Sequence, residues 1–174
     1  QHFTLGQVYS ALNENKKAIK HFKRTLDISP INPDAYLQMG LRYAQQSKYD
    51  EAVQACRATL RLRPNYFEAY IGIGRAYINS NRNEEAIGPL KNAITINPIH
   101  TNSYERLGAA YQNLGQHDKA LTPYREFANI DFRNPVAHFK LGVAYSRITR
   151  NRDAIKSCLL YTSDAADDSL RVDL

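Results

Sequence analysis

Two glycines separated by one residue, Gly72 and Gly74, stand in the stretch IGIGRAY. Such a pair occurs in glycine-rich loops that hold a nucleotide phosphate, because glycine lets the backbone approach the phosphate closely. The dinucleotide-binding fingerprint requires a third glycine three residues after the second, and that position holds Tyr77. We therefore do not expect a phosphate-binding loop here.

Histidine and cysteine are the other residue types of this chain that can bind a metal or act in catalysis. The five histidines follow no spacing typical of metal ligands, and neither cysteine has a second cysteine close by in the sequence. The sequence shows no arrangement typical of a serine–histidine–aspartate triad or a cysteine–histidine pair. We predict a protein that is not an enzyme and that uses no metal, no cofactor and no small-molecule substrate. The residues concerned are His2, His21, His100, His117, His138, Cys56 and Cys158.

The composition of the 174 residues is ordinary for a globular domain. Hydrophobic residues make up 43% and charged residues 23%, and the net charge is +6. No apolar run reaches the roughly 20 residues that span a bilayer. Two cysteines are too few for a disulfide framework, and they assign no redox compartment.

The chain repeats itself with a period of 34 residues. A glycine, a tyrosine three residues later and an alanine nine residues after the tyrosine each recur five times in register. The glycine ladder shows that Gly74 belongs to a repeat and to no loop of its own. The three ladders are Gly6, Gly40, Gly74, Gly108 and Gly142; Tyr9, Tyr43, Tyr77, Tyr111 and Tyr145; and Ala18, Ala52, Ala86, Ala120 and Ala154.

Each repeat is predicted to be a pair of antiparallel helices. Apolar residues recur at three and four positions on both sides of the polar stretch 79–83, which is the spacing of two helices joined by a turn. Asn32 and Asn134, each followed by proline, read as N-caps, and so do Asn83 and its equivalents. We expect Gly74 to pack against Ala86, a small-against-small contact between the two helices. The equivalents of Asn83 are Asn15 and Asn151.

These residues resemble the tetratricopeptide repeat family, in which an aromatic residue, leucine-glycine, tyrosine, alanine, an aromatic, a small residue and proline follow one another over 34 residues. The resemblance implies an all-α fold, a right-handed superhelical solenoid of antiparallel helix pairs with about 4.5 repeats. It covers residues 1–157, divided into a partial unit 1–32, complete units 33–66, 67–100 and 101–134, and a partial unit 135–157. In the second unit the pattern reads Tyr36, Met39, Gly40, Tyr43, Ala52, Cys56, Thr59 and Pro64.

Residues of the third, fourth and fifth units depart from this pattern. Phe132 stands where the other boundaries carry proline, and bulky Phe127 replaces a small residue, so we expect an altered junction before the fifth unit. Pro89 and Pro123 lie inside second helices and should bend them. His138 takes an aromatic position, and we interpret it as a core substitute with no catalytic role.

The repeat pattern ends after residue 157. Residues 158–174 resemble the translation of a transposase adapter from sequencing-library preparation, and we expect them not to belong to the repeat protein; the alternative is a divergent capping helix. The segment holds four aspartates and one arginine, so leaving it out raises the net charge from +6 to +9. Without a natural capping unit at either end, we expect apolar surface to be exposed at both ends.

The family resemblance implies that the first helices line a concave face that binds a peptide. Projecting one face of these helices gives an apolar centre with polar neighbours, which suits a peptide with hydrophobic anchors. Leu37 and Ile71 have the alternative role of packing between neighbouring units. The candidates for the groove are Leu37, Leu41, Ile71, Arg75, Ile78, Asn79, Glu105, Gln112, Asn113, Phe139, Val143 and Arg147.

Two specialisations of the family are not supported by these residues. The chaperone-tail carboxylate clamp needs lysine and asparagine where Leu37, Leu41 and Ile71 stand. The asparagine ladder of sugar-transferase repeat arms is absent, since the residues two before each glycine are Thr4, Gln38, Gly72, Arg106 and Lys140.

A basic residue also recurs every 34 positions on the second helices. We favour the interpretation that this row lies on a solvated convex face without a binding role. The row suits an acidic partner, an anionic surface or nucleic acid. No aromatic residue interleaves it, which argues against nucleic acid. The row consists of Lys23, Arg57, Lys91 and Arg125.

The sequence thus predicts a scaffold or adaptor that binds a protein or peptide in the concave groove. One alternative is the repeat arm of a larger enzyme or membrane-anchored assembly. The other is weak binding of anions or nucleic acid through the basic row. The identity of the partner and the cellular compartment do not follow from the residues.

Overall fold

The structure is a computed structural model that describes residues 1–148, and within this range the chain is all-α, as predicted. Its helices alternate with short turns and linkers. They are α1 (His2–Ala11), α2 (Asn15–Ile28), α3 (Pro33–Gln45), α4 (Tyr49–Leu62), α5 (Phe67–Asn79), α6 (Asn83–Ile96), α7 (Thr101–Asn113), α8 (His117–Ile130) and α9 (Pro135–Arg147).

The residues group into two compact units. Unit 1 is Gln1–Pro98 and holds α1 to α6; unit 2 begins at Ile99, and its described part holds α7 to α9. Within unit 1 each helix packs on the next, and the first helices α1, α3 and α5 also contact one another in turn. Within unit 2, α8 packs on both α7 and α9. The predictions for residues 149–157 and 158–174 lie outside the described residues.

The repeated glycines Gly6, Gly40, Gly74 and Gly108 lie inside helices, each against the side chain four positions after the alanine of its repeat. At Gly40 the neighbours are small, since an added methyl group would lie 2.9 Å from Cys56 Sγ and 3.1 Å from the carbonyl oxygen of Ala52. A methyl group added to Gly74 would lie 2.6 Å from Leu90, a residue with 0% exposure. The predicted partner, Ala86, is buried but does not supply the nearest atoms. The contact is therefore small against large, because the residue four positions after each alanine needs the space that a Cβ would fill. The same pairing joins Gly6 to Phe22 and Gly108 to Tyr124.

Two of the predicted helix caps are confirmed and two are wrong. Asn32 accepts a hydrogen bond from Ala35 N at 2.9 Å, and Asn134 accepts one from Val136 N at 3.0 Å. Asn83 and Asn15 are instead the first residues of α6 and α2, and neither cap position there makes a side-chain cap bond. The Nδ2 of Asn83 donates to Asn81 Oδ1 at 3.3 Å, so it orders the turn rather than the helix end.

The turns within the helix pairs share one backbone conformation. Each has a residue with positive φ, and these residues are again 34 positions apart. The left-handed conformation closes the end of the first helix and redirects the chain into the second. The residues and their φ angles are Asn13 (58°), Ser47 (59°), Asn81 (62°) and Gly115 (71°).

The departures from the repeat pattern in the third, fourth and fifth units leave the described helices in their predicted order. Pro89 and Pro123 lie inside α6 and α8, as predicted. The linker at 131–134 is as long as the linker at 63–66. It differs in a hydrogen bond between its backbone and a side chain of α9. His138 is half-buried, and its Nε2 donates to the carbonyl oxygen of Phe132 at 2.7 Å. The histidine therefore has a structural contact at the junction.

No helix among residues 1–148 is long and apolar enough to cross a membrane. An apolar stripe at helical spacing is exposed along α1 and at its C-cap residue. The stripe consists of Leu5, Val8 and Leu12.

Candidate functional site

The cysteine and histidine side chains of the described range, the types most able to bind metal or react, make contacts within the fold. Cys56 is 1% exposed, and burial raises the pKa of its thiol to about 12, while the charge of Arg75 acts weakly in the opposite direction. The prediction that Cys56 is buried is confirmed, and a buried thiol with a raised pKa is the kind expected to react poorly. His2 and His21, which the sequence gave no reason to pair, approach to 3.2 Å between their Nδ1 atoms. In the described range, no group of three or more histidine, cysteine or acidic residues is placed to hold a metal ion.

In unit 1, the face shared by α3 and α5 carries the apolar groove candidates. Ile71, Arg75 and Ile78 follow one another at four and three positions along α5, so they lie on one side of that helix. Leu41 lies on the neighbouring helix α3, and all four side chains are half-buried. We refer to Leu41, Ile71, Arg75 and Ile78 as the α3–α5 face.

Leu37 does not belong to this face. Its side chain is only 5% exposed, so it cannot present a surface to a ligand. Its position agrees with the alternative that it packs between helices. Ile71 remains half-buried and Asn79 is exposed, so these two candidates stay accessible in unit 1.

The structure adds Arg42 to the neighbourhood of Arg75. Burial lowers the pKa of Arg42, and the like charge of Arg75 lowers it further, so the two guanidinium groups lie within electrostatic reach of each other. Arg42 Nη1 donates to the carbonyl oxygen of Ser10 at 3.4 Å, whereas its buried Nε has no acceptor in the part of the chain that the structure describes. Neither arginine forms an ion pair within residues 1–148. Because an arginine stays protonated, this part of unit 1 carries uncompensated positive charge.

In unit 2, two of the groove candidates already have partners. Glu105 forms an ion pair with Lys140 at 3.1 Å, and Gln112 accepts a hydrogen bond from the hydroxyl of the buried Tyr124 at 2.8 Å. These contacts tie both side chains to their own unit. Of the remaining candidates, Phe139 is 64% exposed. Asn113 and Arg147 are also exposed, and Val143 is half-buried.

Three family models match the chain. The models described as "Tetratricopeptide repeat" match residues 37–98 and 90–122, and one described as "TPR repeat" matches residues 6–47. The chain belongs to the tetratricopeptide repeat (TPR) family. A comparison with curated proteins by sequence finds no match.

Solved TPR structures share the fold of this chain. A structure titled "Crystal structure of MamA" is 24% identical, with a TM-score of 0.86 over 94% of this chain and 96% of that one. MamA 41-end from Desulfovibrio magneticus RS-1 is 22% identical, with a TM-score of 0.85 over 93% and 92%. YrrB, described as a TPR protein with an unusual peptide-binding site, is 20% identical, with a TM-score of 0.78 over 98% and 88%. At these identities the likeness concerns the fold.

The basic row of this TPR protein is exposed at each of its positions, Lys23, Arg57, Lys91 and Arg125. Three of these residues belong to unit 1 and Arg125 belongs to unit 2. Arg57 Nη2 donates to the hydroxyl of Tyr77 at 3.0 Å, so this member of the row also supports packing between α4 and α5. The row by itself therefore fits the predicted solvated outer surface.

On α2, however, the basic residues are denser than on the later TPR helices. Lys16, Lys20, Lys23 and Arg24 are all exposed, while Ala18, Ile19, Phe22 and Thr25 of the same helix are buried. We refer to Lys16, Lys20, Lys23 and Arg24 as the α2 basic face. Sequence reasoning found only Lys23, because it searched for charges that recur in every repeat.

The first turn of α2 is also electrostatically unfavourable. It contains no acidic residue, whereas α4, α6 and α8 begin with at least one acid. Lysines at this end oppose the helix dipole. Lys20 lies four residues from both Lys16 and Arg24, and like charges at this spacing destabilise a helix. Lys17 beside them is paired with Glu14.

Proposed function

We propose that this TPR protein is a non-enzymatic scaffold that binds an extended peptide on the α3–α5 face of unit 1. The observation that carries this proposal is Arg75, a half-buried cation without an acidic partner in the described chain, set among half-buried apolar side chains. The positive charge of Arg75 and the exposed parts of the apolar side chains are therefore free to interact with a ligand.

The chemistry of the face suggests the ligand. Leu41, Ile71 and Ile78 can bury apolar side chains of a peptide, and full burial of such a side chain contributes about 1.5–3 kcal/mol. A carboxylate of the same peptide can pair with Arg75, and with Arg42 beside it, because guanidinium groups bind carboxylates through two parallel hydrogen bonds. We therefore expect a peptide with apolar anchors and one acidic group.

The TPR comparisons support the coarser part of this proposal, a protein-interaction role. YrrB has the described fold and is named for a peptide-binding site. The peptide bound here, and its placement on α3 and α5, are inferred from the residues of this chain.

The test is a double substitution, Ile71→Asp together with Ile78→Asp. The probe is a peptide selected from a random display library on the immobilised wild-type chain, and its affinity is measured by fluorescence anisotropy. The two new carboxylates should weaken peptide binding at least about a hundredfold, because the bound peptide would bury each negative charge and remove its water.

The matched control replaces two exposed isoleucines of the same unit, Ile28→Asp and Ile31→Asp, whose side chains are 74% and 80% exposed. This variant should bind like the wild type. A third variant, Arg75→Glu, should weaken an acidic peptide while circular dichroism shows unchanged helicity. Equal binding by the face variant and the control would reject the assignment to the α3–α5 face.

A further inference from the structure

A second surface of unit 1 has the features of a docking site. It lies on α2, a second helix of a repeat, whereas the α3–α5 face lies on first helices. The exposed side of α2 forms an open depression of about 430 Å³. Its lining consists of Lys16, Ile19, Lys20, Lys23, Arg24 and Asp27. Four of these six residues are the α2 basic face. The buried residues of α2 face α1 and α3, on which this helix packs. The depression lies on the exposed side of α2 and therefore opens away from both helices.

The charge of this depression is specific to α2. The 34-residue register places Lys16 at the position of Asp50 in α4 and Glu84 in α6, and it places Arg24 at the position of Ala58 and Asn92. Only Lys23 has a basic equivalent in every later second helix. The other charges are therefore not required by the repeat fold, and they are kept on a helix whose first turn they disfavour.

These charges also have no ion-pair partner among residues 1–148. Lys16, Lys20, Lys23 and Arg24 form no ion pair within residues 1–148, and the acid closest to them in sequence within the lining is Asp27 at the far end of the depression. Four like charges along one helix face repel one another until a negatively charged partner neutralises them. The geometry points to an acidic peptide segment of a partner protein, bound along α2.

The length and polarity of the depression specify this segment. Lys16 and Asp27 are eleven residues apart on α2, which corresponds to about 16 Å along the helix axis. An extended peptide spans that length with about five residues. The acid at one end fits a basic residue that flanks the acidic run. The ligand class is therefore a run of aspartate or glutamate followed or preceded by lysine or arginine.

Two other anionic partners fit the lining less well. Single-stranded nucleic acid binds where aromatic side chains stack on bases, and none of the lining residues is aromatic. An anionic membrane is held more firmly when apolar side chains insert, but Ile19, the apolar residue of the lining, is only 7% exposed. Asp27 would also repel both kinds of phosphate surface.

The test uses the full chain and a labelled peptide of five glutamates flanked by lysine. The variant Lys16→Gln, Lys20→Gln and Arg24→Gln should bind this peptide about tenfold more weakly or worse than the wild type. The matched control, Arg61→Gln, Lys91→Gln and Lys119→Gln, removes the same charge from exposed positions on α4, α6 and α8 and should lose less than about twofold. Equal losses in the two variants would overturn the proposal, because they would show a response to net charge alone.

Competing probes decide the class of partner. An oligothymidine of equal charge and vesicles of equal parts phosphatidylcholine and phosphatidylserine should bind the wild type more weakly than the peptide does; tighter binding of either would overturn the assignment to an acidic peptide. Asp27→Asn should abolish the preference for the lysine-flanked peptide over five glutamates alone, and an unchanged preference would refute the role of Asp27. The groove variant with Ile71→Asp and Ile78→Asp should retain peptide binding at α2, so this test is independent of the α3–α5 face.

Discussion

At the scale of single residues, the same amino acid has different roles in neighbouring helices. Gly74 on α5 stands 2.6 Å from the position that Leu90 fills, so its missing Cβ is required by packing. Gly88 on α6 is exposed, and outside its chain neighbours and its own helix backbone nothing lies within 4 Å of an added Cβ. Sequence alone shows that Gly74 recurs every 34 residues and Gly88 does not, and the structure supplies the physical reason.

Substitution by alanine should therefore have different effects at these two glycines. Gly74→Ala forces Leu90, which is fully buried, out of its place and should lower the free energy of unfolding by about 1–3 kcal/mol. Gly88→Ala meets no other helix, and it should change the free energy of unfolding by less than about 1 kcal/mol, because the gain in helix propensity is opposed by the contact of the new Cβ with the ring of Pro89. Urea denaturation followed by circular dichroism measures both. A neutral Gly74→Ala would show that the helix pair can adjust without loss.

Arg42 shows what sequence reasoning can miss at the residue scale. Val8, Ala76 and Ala110 occupy the equivalent positions of the other repeats, so an arginine there breaks an otherwise small, apolar pattern. That break is the signal that was available. Cys56, in contrast, occupied a recurring core position, and its burial followed directly from the repeat.

At the scale of secondary structure, the left-handed residue in each turn determines where the second helix begins. The caps at Asn32 and Asn134 were predictable because proline follows each of them. Asparagine favours both helix caps and left-handed turns, so the sequence does not show which asparagine of a turn has which role. The structure gives the positive φ to Asn13 and Asn81, whereas Asn15 and Asn83, which were predicted as caps, are the first residues of their helices.

The turn conformation makes a prediction about residues that lack glycine's freedom. Ser47 has a φ of 59° in the turn between α3 and α4, where Gly115 has 71° in the turn between α7 and α8. Ser47→Gly should raise the midpoint of thermal unfolding, and Gly115→Ala should lower it, each by an amount corresponding to about 1 kcal/mol. Differential scanning calorimetry gives both midpoints. A stabilising Gly115→Ala would contradict the role of the left-handed turn.

At the scale of the whole molecule, the 34-residue period was enough to predict the helix pairs and the family, but not the division into two units. The linker at 97–100 carries Pro98 at the same phase as Pro64 at the preceding boundary. Nothing in the local pattern distinguishes the two linkers, although only the later one contains a unit boundary. Compactness depends on the summed packing of whole helices, which a residue pattern does not reveal. The groove candidates were predicted only as a list of positions, since burial separates Leu37 from Ile71.

Because unit 1 is compact by itself, the fragment of residues 1–98 should fold alone. In repeat proteins, stability is approximately the sum of the repeats and of the interfaces between neighbours. The fragment 1–98 should therefore unfold cooperatively, and a shorter fragment, 1–66, which lacks α5 and α6, should have a lower midpoint in urea. Since Lys16 and Arg24 belong to unit 1, the longer fragment should also bind the lysine-flanked glutamate peptide with the affinity of the full chain. A fragment 1–98 without helical circular dichroism would show that unit 1 needs residues beyond Pro98 to fold, whereas a helical fragment that fails to bind would place the acidic peptide outside unit 1.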